Sequence, residues 1–305
     1  MNRILITGAL GQLGIEFIKY FNNSNTFVLA TDIRECENEI SCKFIQCDVL
    51  EKNKLNQLVE KYKIDTIFHL VAMLSAKGER YPFKSWNLNI DSFQNVIEVC
   101  IKSKIKKLFW PSSIAVFGTH SKLDFVPQNP ILNPSSIYGI TKLAGEKLLE
   151  YYNNKFNLDI RSIRYPGIIS MSSPPGGGTT DYVIEMINSA RNKSKYICFL
   201  SQETELPMMY IDDAVSSAIQ LMSTDKSKLS VKDSYNVAGF SVTPEILKTQ
   251  ILNNGFKIEV EYKPDFRQKI ANSWPRKIDD SKAKNDWGWN AKFSLVDTVK
   301  RSLEF

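Results

Sequence analysis

The chain has 305 residues and 43% hydrophobic content, enough to bury a large core, and no apolar run approaches the roughly 18 residues of a membrane span. Its formal charge of +6 comes from 39 basic and 33 acidic residues; the densest basic stretch, Lys102, Lys104, Lys106 and Lys107, reads as solvated surface rather than a nucleic-acid site. Cys36, Cys42, Cys47, Cys100 and Cys198 form no CxxC pair and His69 and His120 are the only histidines, which argues against a disulfide framework and a zinc-ligand set. Met1-Asn-Arg leads at once into an apolar strand, so no signal or transit peptide is expected and a soluble cytoplasmic protein is.

Taken in chain order, the first strand is expected at Asn2 to Thr7, followed by a helix near Gly11 to Phe21 and strands at Thr26 to Thr31 and Lys43 to Cys47. A helix at Lys52 to Tyr62, a strand at Thr66 to Val71, a helix at Trp86 to Ser103 and a strand at Lys107 to Ser112 continue the alternation. It closes with a helix at Ile137 to Asn154 and a strand at Asp159 to Arg164. Such alternation is the trace of an α/β fold, a doubly wound parallel Rossmann sheet with helices on both faces. Beyond Tyr165 the texture changes: Ser170 to Thr180 holds prolines, consecutive glycines and hydroxyl residues without charge, and reads as a loop. A helix at Asp181 to Arg191, a strand at Tyr196 to Leu200 and elements around Lys257 to Tyr262 and Ser294 to Leu303 are too few for an independent sheet domain. They suit a second, smaller substrate-binding lobe. Residues 1–170 and 208–240 are assigned to the dinucleotide-binding domain, and 171–207 and 241–305 to that lobe.

The first strand runs into Gly8-Ala-Leu-Gly11-Gln12-Leu13-Gly14, a GxxGxxG spacing where strand turns into helix. Gly8 permits the sharp turn, Gly11 lets backbone approach a pyrophosphate, Gly14 allows helix and strand to pack closely, and the helix N-terminus offers free N–H groups to phosphate. Asp32 ends the second strand, where a carboxylate accepts from ribose hydroxyls and repels a 2′-phosphate; NAD is therefore predicted over NADP. Asp48, with Val49 beside it, is placed to accept from an adenine amino group or to cap the helix that starts near Glu51.

Tyr138 and Lys142 have the spacing that puts two side chains on one helix face. A phenol with pKa about 10 is a poor base near neutrality, and a neighbouring ammonium, helped by a positive nicotinamide, is expected to favour phenolate. The same pattern recurs at Tyr151 and Lys155, roughly 20 Å further along that helix, and is read there as surface. Ser113 follows a strongly apolar strand, at the sheet edge where ligands bind in such folds, and is expected to donate to a substrate oxygen near Tyr138.

These residues resemble the extended short-chain dehydrogenase/reductase family: Gly8 to Gly14, Asp32, Pro111-Ser-Ser-Ile-Ala-Val-Phe-Gly118 and Tyr138-Gly-Ile-Thr-Lys142. Arg164-Tyr-Pro-Gly167 is similar to the family segment that lies against the nicotinamide, and Tyr210-Ile-Asp-Asp213 to its return to the main sheet. The resemblance, which covers almost the whole chain, implies cofactor contacts from Leu70, Tyr165, Pro166 and Ile168 besides the glycine loop, Asp32, Asp48, Val49, Tyr138 and Lys142. Pro174-Pro-Gly-Gly-Gly-Thr-Thr-Asp-Tyr182, Leu206-Pro-Met-Met-Tyr210, Ser273-Trp-Pro-Arg276 and Asp286-Trp-Gly-Trp289 resemble the L-threonine 3-dehydrogenases of the short-chain type more narrowly. That implies metal-independent oxidation of the threonine C3 hydroxyl to 2-amino-3-oxobutyrate. The product then loses CO₂ to give aminoacetone or passes to a CoA-dependent ligase that makes glycine. It also implies a homodimer through the helix of Tyr138 and the one before it, and a substrate site from Ser75, Ser113, Tyr138, Gly178, Thr179, Thr180, Asp181 and Trp274.

The residues themselves suit a small polar ligand. The glycine-rich loop offers N–H groups to a carboxylate, and Thr179, Thr180 and Asp181 offer hydroxyls and one negative charge to an ammonium. Thr180 and Asp181 could also cap the helix that follows, Ser75 could be an ordinary loop serine, and Trp274 could fill the core of the small lobe. Ser113 departs from the threonine common in these enzymes while keeping the hydroxyl. The competing reading, a nucleotide-sugar epimerase or dehydratase, needs a larger lobe and an arginine for a diphosphate that the 206–210 stretch lacks. A non-catalytic NAD-sensing scaffold is disfavoured by intact Ser113, Tyr138 and Lys142.

Overall fold

The structure, a computed structural model, describes residues 1–37, 40–119, 124–172 and 174–305; His120 and Ser173 lie outside the described residues. Seven parallel strands form the main sheet in the order β10-β6-β5-β4-β1-β2-β3: β1 (Arg3–Thr7), β2 (Phe27–Thr31), β3 (Lys43–Phe44), β4 (Thr66–His69), β5 (Lys107–Ser113), β6 (Ile160–Tyr165) and β10 (Tyr235–Asn236). Both faces are covered, so the central strands are continuous apolar runs. In β1, Ile4 and Ile6 point to the core beneath α1 (Gln12–Asn22), while Leu5 joins the opposite core beneath α2 (Lys52–Lys61). Strand order reverses between β1 and β4, which opens a crevice at their carboxyl ends.

The helix expected at Trp86 to Ser103 starts earlier and is not uniform. It consists of α4 (Pro82–Trp86), a π-helical turn at Asn87–Asp91 and α5 (Ser92–Lys102), preceded by a separate short helix, α3 (Ser75–Arg80), where a loop was expected. Six residues carry too little periodicity to announce α3. The third strand is shorter than Lys43 to Cys47, although Ile45 and Cys47 still donate to Ala30 and Asp32. Helix α6 (Ile137–Phe156) begins where the Ser136 hydroxyl accepts from the Gly139 N–H and ends at Asn157, which takes a left-handed conformation with φ 51°.

The smaller lobe contains the sheet β11-β9-β7, from β7 (Gly167–Ile169), β9 (Leu206–Tyr210) and β11 (Phe240–Val242), and the pair β8 (Tyr196–Cys198) and β12 (Val260–Tyr262). Helices α7 (Tyr182–Arg191), α9 (Pro244–Asn253), α10 (Phe266–Ala271) and α12 (Leu295–Glu304) enclose its core. Tyr210 ends β9, and α8 (Ile211–Ser223) then packs on the main sheet together with Ala283 of α11 (Ser281–Trp287) and Trp289. Among the described residues no helix is long and apolar enough to cross a membrane.

Candidate active site

The turn after β1 is built for glycine. Gly8 has φ +71°, and a Cβ on Gly14 would sit 2.5 Å from the carbonyl oxygens of Gly8 and Ala9. A Cβ on Gly11 would lie 3.2 Å from the Gly8 oxygen, and Gly11 caps α1 without a side-chain hydrogen bond. The first turn of α1 therefore presents its N–H groups to a crevice of about 460 Å³ lined by Gly8, Gly11, Gln12, Leu13 and Gly14. These residues fit a dinucleotide pyrophosphate. Leu70, Tyr165, Pro166 and Ile168 line the same crevice.

Asp32 stands just behind the crevice. Its carboxylate accepts from Leu10 N at 3.0 Å, Arg34 N at 3.1 Å, Arg34 Nε at 3.0 Å and Arg34 Nη2 at 3.2 Å. Burial alone would raise its pKa, but the Arg34 and Leu10 contacts outweigh that and hold it below the usual carboxylate range. Arg34 itself lines the crevice. Asp48 and Val49 do not: the Asp48 carboxylate accepts from Leu50 N at 2.9 Å, Val49 is buried, and α2 is capped by Glu51 with no side-chain bond. The Asp48 side chain therefore does not cap α2, and its second carboxylate oxygen makes no bond among the described residues.

At the other end of the crevice Ser113, Tyr138 and Lys142 converge, all buried. The Ser113 hydroxyl accepts from Ala115 N at 3.2 Å and acts on the Tyr138 phenol to lower its pKa. Lys142 Nζ donates to the Pro111 carbonyl at 2.6 Å, 4.4 Å from the Trp110 ring centroid and 5.6 Å from that of Tyr138. Burial pushes Lys142 down to about 7 against the pull of Glu146, and pushes Tyr138 up to about 12 against the Ser113 hydroxyl. In the protein groups alone desolvation is the larger effect on the phenol; the expected lowering invoked the lysine and a bound nicotinamide together.

The substrate-side residues Ser75, Gly178, Thr179, Thr180, Asp181 and Trp274 also line the crevice. Ser75 Oγ is 3.0 Å from Thr179 Oγ1 and accepts from Thr179 N at 3.1 Å, so this serine does more than fill a loop. Asp181 Oδ2 accepts from Gly177 N and Gly178 N, each at 2.8 Å, and makes no side-chain cap on α7. Two of the loop N–H groups expected for a ligand carboxylate are therefore spent on Asp181. Burial raises the Asp181 pKa, with those N–H groups opposing it. Trp274 lines the crevice and is 5% exposed, and its Nε1 is buried with no partner among the described residues.

The sequence pattern of the NAD dependent epimerase/dehydratase family matches residues 4–238. The chain belongs to this family. Its relatives include an uncharacterized epimerase/dehydratase of Staphylococcus haemolyticus (strain JCSC1435), 40% identical over 100% of this chain and 97% of the relative. Among solved structures, the GalE-like L-threonine dehydrogenase from Cupriavidus necator in its holo form is similar with TM-score 0.96 and 39% identity, covering 99% of both chains. The L-threonine dehydrogenase from Clostridium difficile gives 0.94 and 38%, covering 100% of this chain and 97% of the other.

For this epimerase/dehydratase family member, two site features were missed in the sequence. Arg34 was overlooked although it lies two positions after Asp32, near enough to pair with it. Asn89, in the π-helical turn and 2% exposed, accepts from Met73 N at 2.7 Å and donates to Thr141 Oγ1 at 3.0 Å, while Thr141 donates to the Tyr138 carbonyl. It ties the loop after β4 to the helix of the tyrosine. A π-turn has no sequence periodicity of its own; the available signal was a polar residue among the apolar positions of that helix.

Proposed function

We propose that this family member is an NAD-dependent L-threonine 3-dehydrogenase that converts the C3 hydroxyl of L-threonine to the ketone of 2-amino-3-oxobutyrate. The observation that carries this reading is the wall of the crevice beyond Tyr138. It is lined by Trp274, the hydroxyl residues Ser75, Thr179 and Thr180, and one carboxylate, Asp181; among the described residues the arginine lining the crevice is Arg34, beside Asp32. That inventory suits a small zwitterion and offers no bidentate cation for a sugar diphosphate. Solved structures similar over nearly their full length carry the name L-threonine dehydrogenase.

The glycine turn, Leu70, Asp32, Tyr165, Pro166 and Ile168 would hold the dinucleotide. When bound, its nicotinamide supplies the acceptor for the hydride lost from C3. Ser113 donates a hydrogen bond to the substrate oxygen and orients it, Lys142 holds positive charge beside the Tyr138 phenolate, and that phenolate takes the hydroxyl proton and becomes the phenol. NAD is expected over NADP because Asp32, at the end of β2, would accept from ribose hydroxyls and repel a 2′-phosphate. Arg34 tempers that preference, since it engages both oxygens of Asp32. A cytoplasmic homodimer is part of the proposal: Phe83 and Trp86 on α4 and Ile140 on α6 leave an apolar face exposed. A similar solved structure carries the name monomeric L-threonine 3-dehydrogenase, and sedimentation at the mass of two chains is the result expected here. The product would pass to a CoA-dependent 2-amino-3-oxobutyrate ligase or lose CO₂.

The test follows NADH absorbance with NAD or NADP and L-threonine, L-serine or L-allo-threonine, with and without a chelator. Chelator-resistant reduction of NAD selective for L-threonine is the expected result. Silence with every amino acid despite NAD binding would remove the reading in favour of a nucleotide-sugar substrate.

A further inference from the structure

Behind the tyrosine-lysine pair lies a buried ionic cluster that the proposed reaction does not use. Glu146 is one helical turn beyond Lys142 on α6 and fully buried. Its Oε1 accepts from Ser112 Oγ at 2.5 Å and Arg164 Nε at 2.9 Å, and its Oε2 from Arg164 Nη2 at 2.8 Å. Arg164 spends its other donors on Asp233 Oδ2 at 3.1 Å, the Gln128 carbonyl at 2.8 Å and Asn236 Oδ1 at 3.3 Å. Two carboxylates around one guanidinium leave one negative charge in excess. Asp233 reaches solvent, with 17% of its side chain exposed, whereas Glu146 does not. An uncompensated buried charge is costly, and the buried cation on the near side is Lys142.

We propose that Glu146 is a positioning residue for the tyrosine-lysine pair: clamped by Arg164 and Ser112, its carboxylate supplies the buried negative charge that keeps Lys142 cationic beside Tyr138. This rests on the dehydrogenase reading only in requiring the pair to move a proton, and not on the identity of the substrate. The groups that face Lys142 from each packed element support it. On α6 these are Tyr138 and Glu146. From β5 come the Trp110 ring and the Pro111 carbonyl, and from β4 comes His69, kept neutral because burial, and then Lys142 itself, push its pKa down to about 3. Arg164 lies on the far side of Glu146 as its ion-pair partner.

With one proton shared, the pair is either phenolate with ammonium or phenol with amine. Removing the Glu146 charge disfavours both forms that contain the ammonium, so it shifts the one-proton pair toward phenol and amine, in which the tyrosine is protonated and cannot take the substrate proton.

The test labels lysine Cε with ¹³C in the cofactor-free protein and follows the Lys142 resonance, identified by its loss in Lys142→Arg, through a pH titration. In Glu146→Gln the midpoint is expected to fall by about one unit, with kcat about tenfold lower and KM for substrate unchanged. Glu146→Asp, which keeps the charge, should restore the wild-type midpoint. Asp233→Asn, at the rim of the cluster, should lower the midpoint by a smaller amount and decides the question if Glu146→Gln does not fold. An unchanged midpoint in folded Glu146→Gln, or in Asp233→Asn where that variant has to stand in, overturns the proposal. A lowered midpoint without turnover of L-threonine leaves it standing and counts only against the substrate reading.

Discussion

Helix α6 carries the same Tyr-x-x-x-Lys pattern twice, and the two copies live in different physical worlds. Tyr151 is 50% exposed, and the Lys155 ammonium donates to its hydroxyl at 2.8 Å, a bond that raises the lysine pKa. Tyr138 and Lys142 are buried; there the lysine turns to the Pro111 carbonyl instead, its pKa falls to about 7 and that of the tyrosine rises to about 12. Identical residues at identical spacing acquire opposite lysine shifts because one pair is solvated and the other sits at the carboxyl end of β5. Chemistry is thus conferred by the strand edge under the helix, not by the motif.

The largest effect that could break this contrast is on turnover. Tyr138→Phe is expected to lower kcat with L-threonine by about 10² to 10⁴-fold, the range of a lost general base, while NAD affinity measured by calorimetry stays near wild type. Near-wild-type turnover would mean that burial has not selected this tyrosine as the base.

A smaller effect sharpens the contrast through stability. Lys142 has a folded-state pKa of about 7, below its usual value near 10.5. Between those values the unfolded chain binds the extra proton, so stability rises with pH across roughly pH 7 to 10, and below that window the buried cation imposes its full cost. Urea midpoints for wild type and Lys142→Met should diverge accordingly: wild type gains up to about 1.4 kcal/mol per pH unit relative to the variant. Parallel curves from pH 7 to 9 would show that the ammonium is not desolvated as the structure has it.

How far the site was legible follows from the same physics. The main sheet and glycine turn could be read because a parallel sheet writes continuous apolar runs and because a Cβ at Gly14 has nowhere to go. Ser113, Tyr138, Lys142 and the 178–181 loop were also found, and they share one crevice. Less legible was everything set by competition between groups far apart in the chain. The Gly177 and Gly178 N–H groups look free in the sequence and are claimed by Asp181, and Asp48, one of whose expected roles was to cap α2, bonds Leu50 N instead. Spacing shows the lysine beside Tyr138 but not the burial that raises the phenol pKa in the protein alone.

The smallest expected effect is the one that makes the comparison complete. Tyr151→Phe and Lys155→Met remove the exposed pair, and each should leave kcat and KM within about twofold of wild type, as surface substitutions do. Neither should alter the dependence of stability on pH between 7 and 9, because Lys155 remains in water and its hydrogen bond raises its pKa, away from that window. A tenfold loss of activity in either variant with the fold intact would be informative. It would indicate that the exposed face of α6, where Tyr151 and Phe156 are open to solvent, is covered in the working enzyme. The second pair would then serve contact between subunits rather than proton transfer, and sedimentation of the same variants would show the association lost together with the activity.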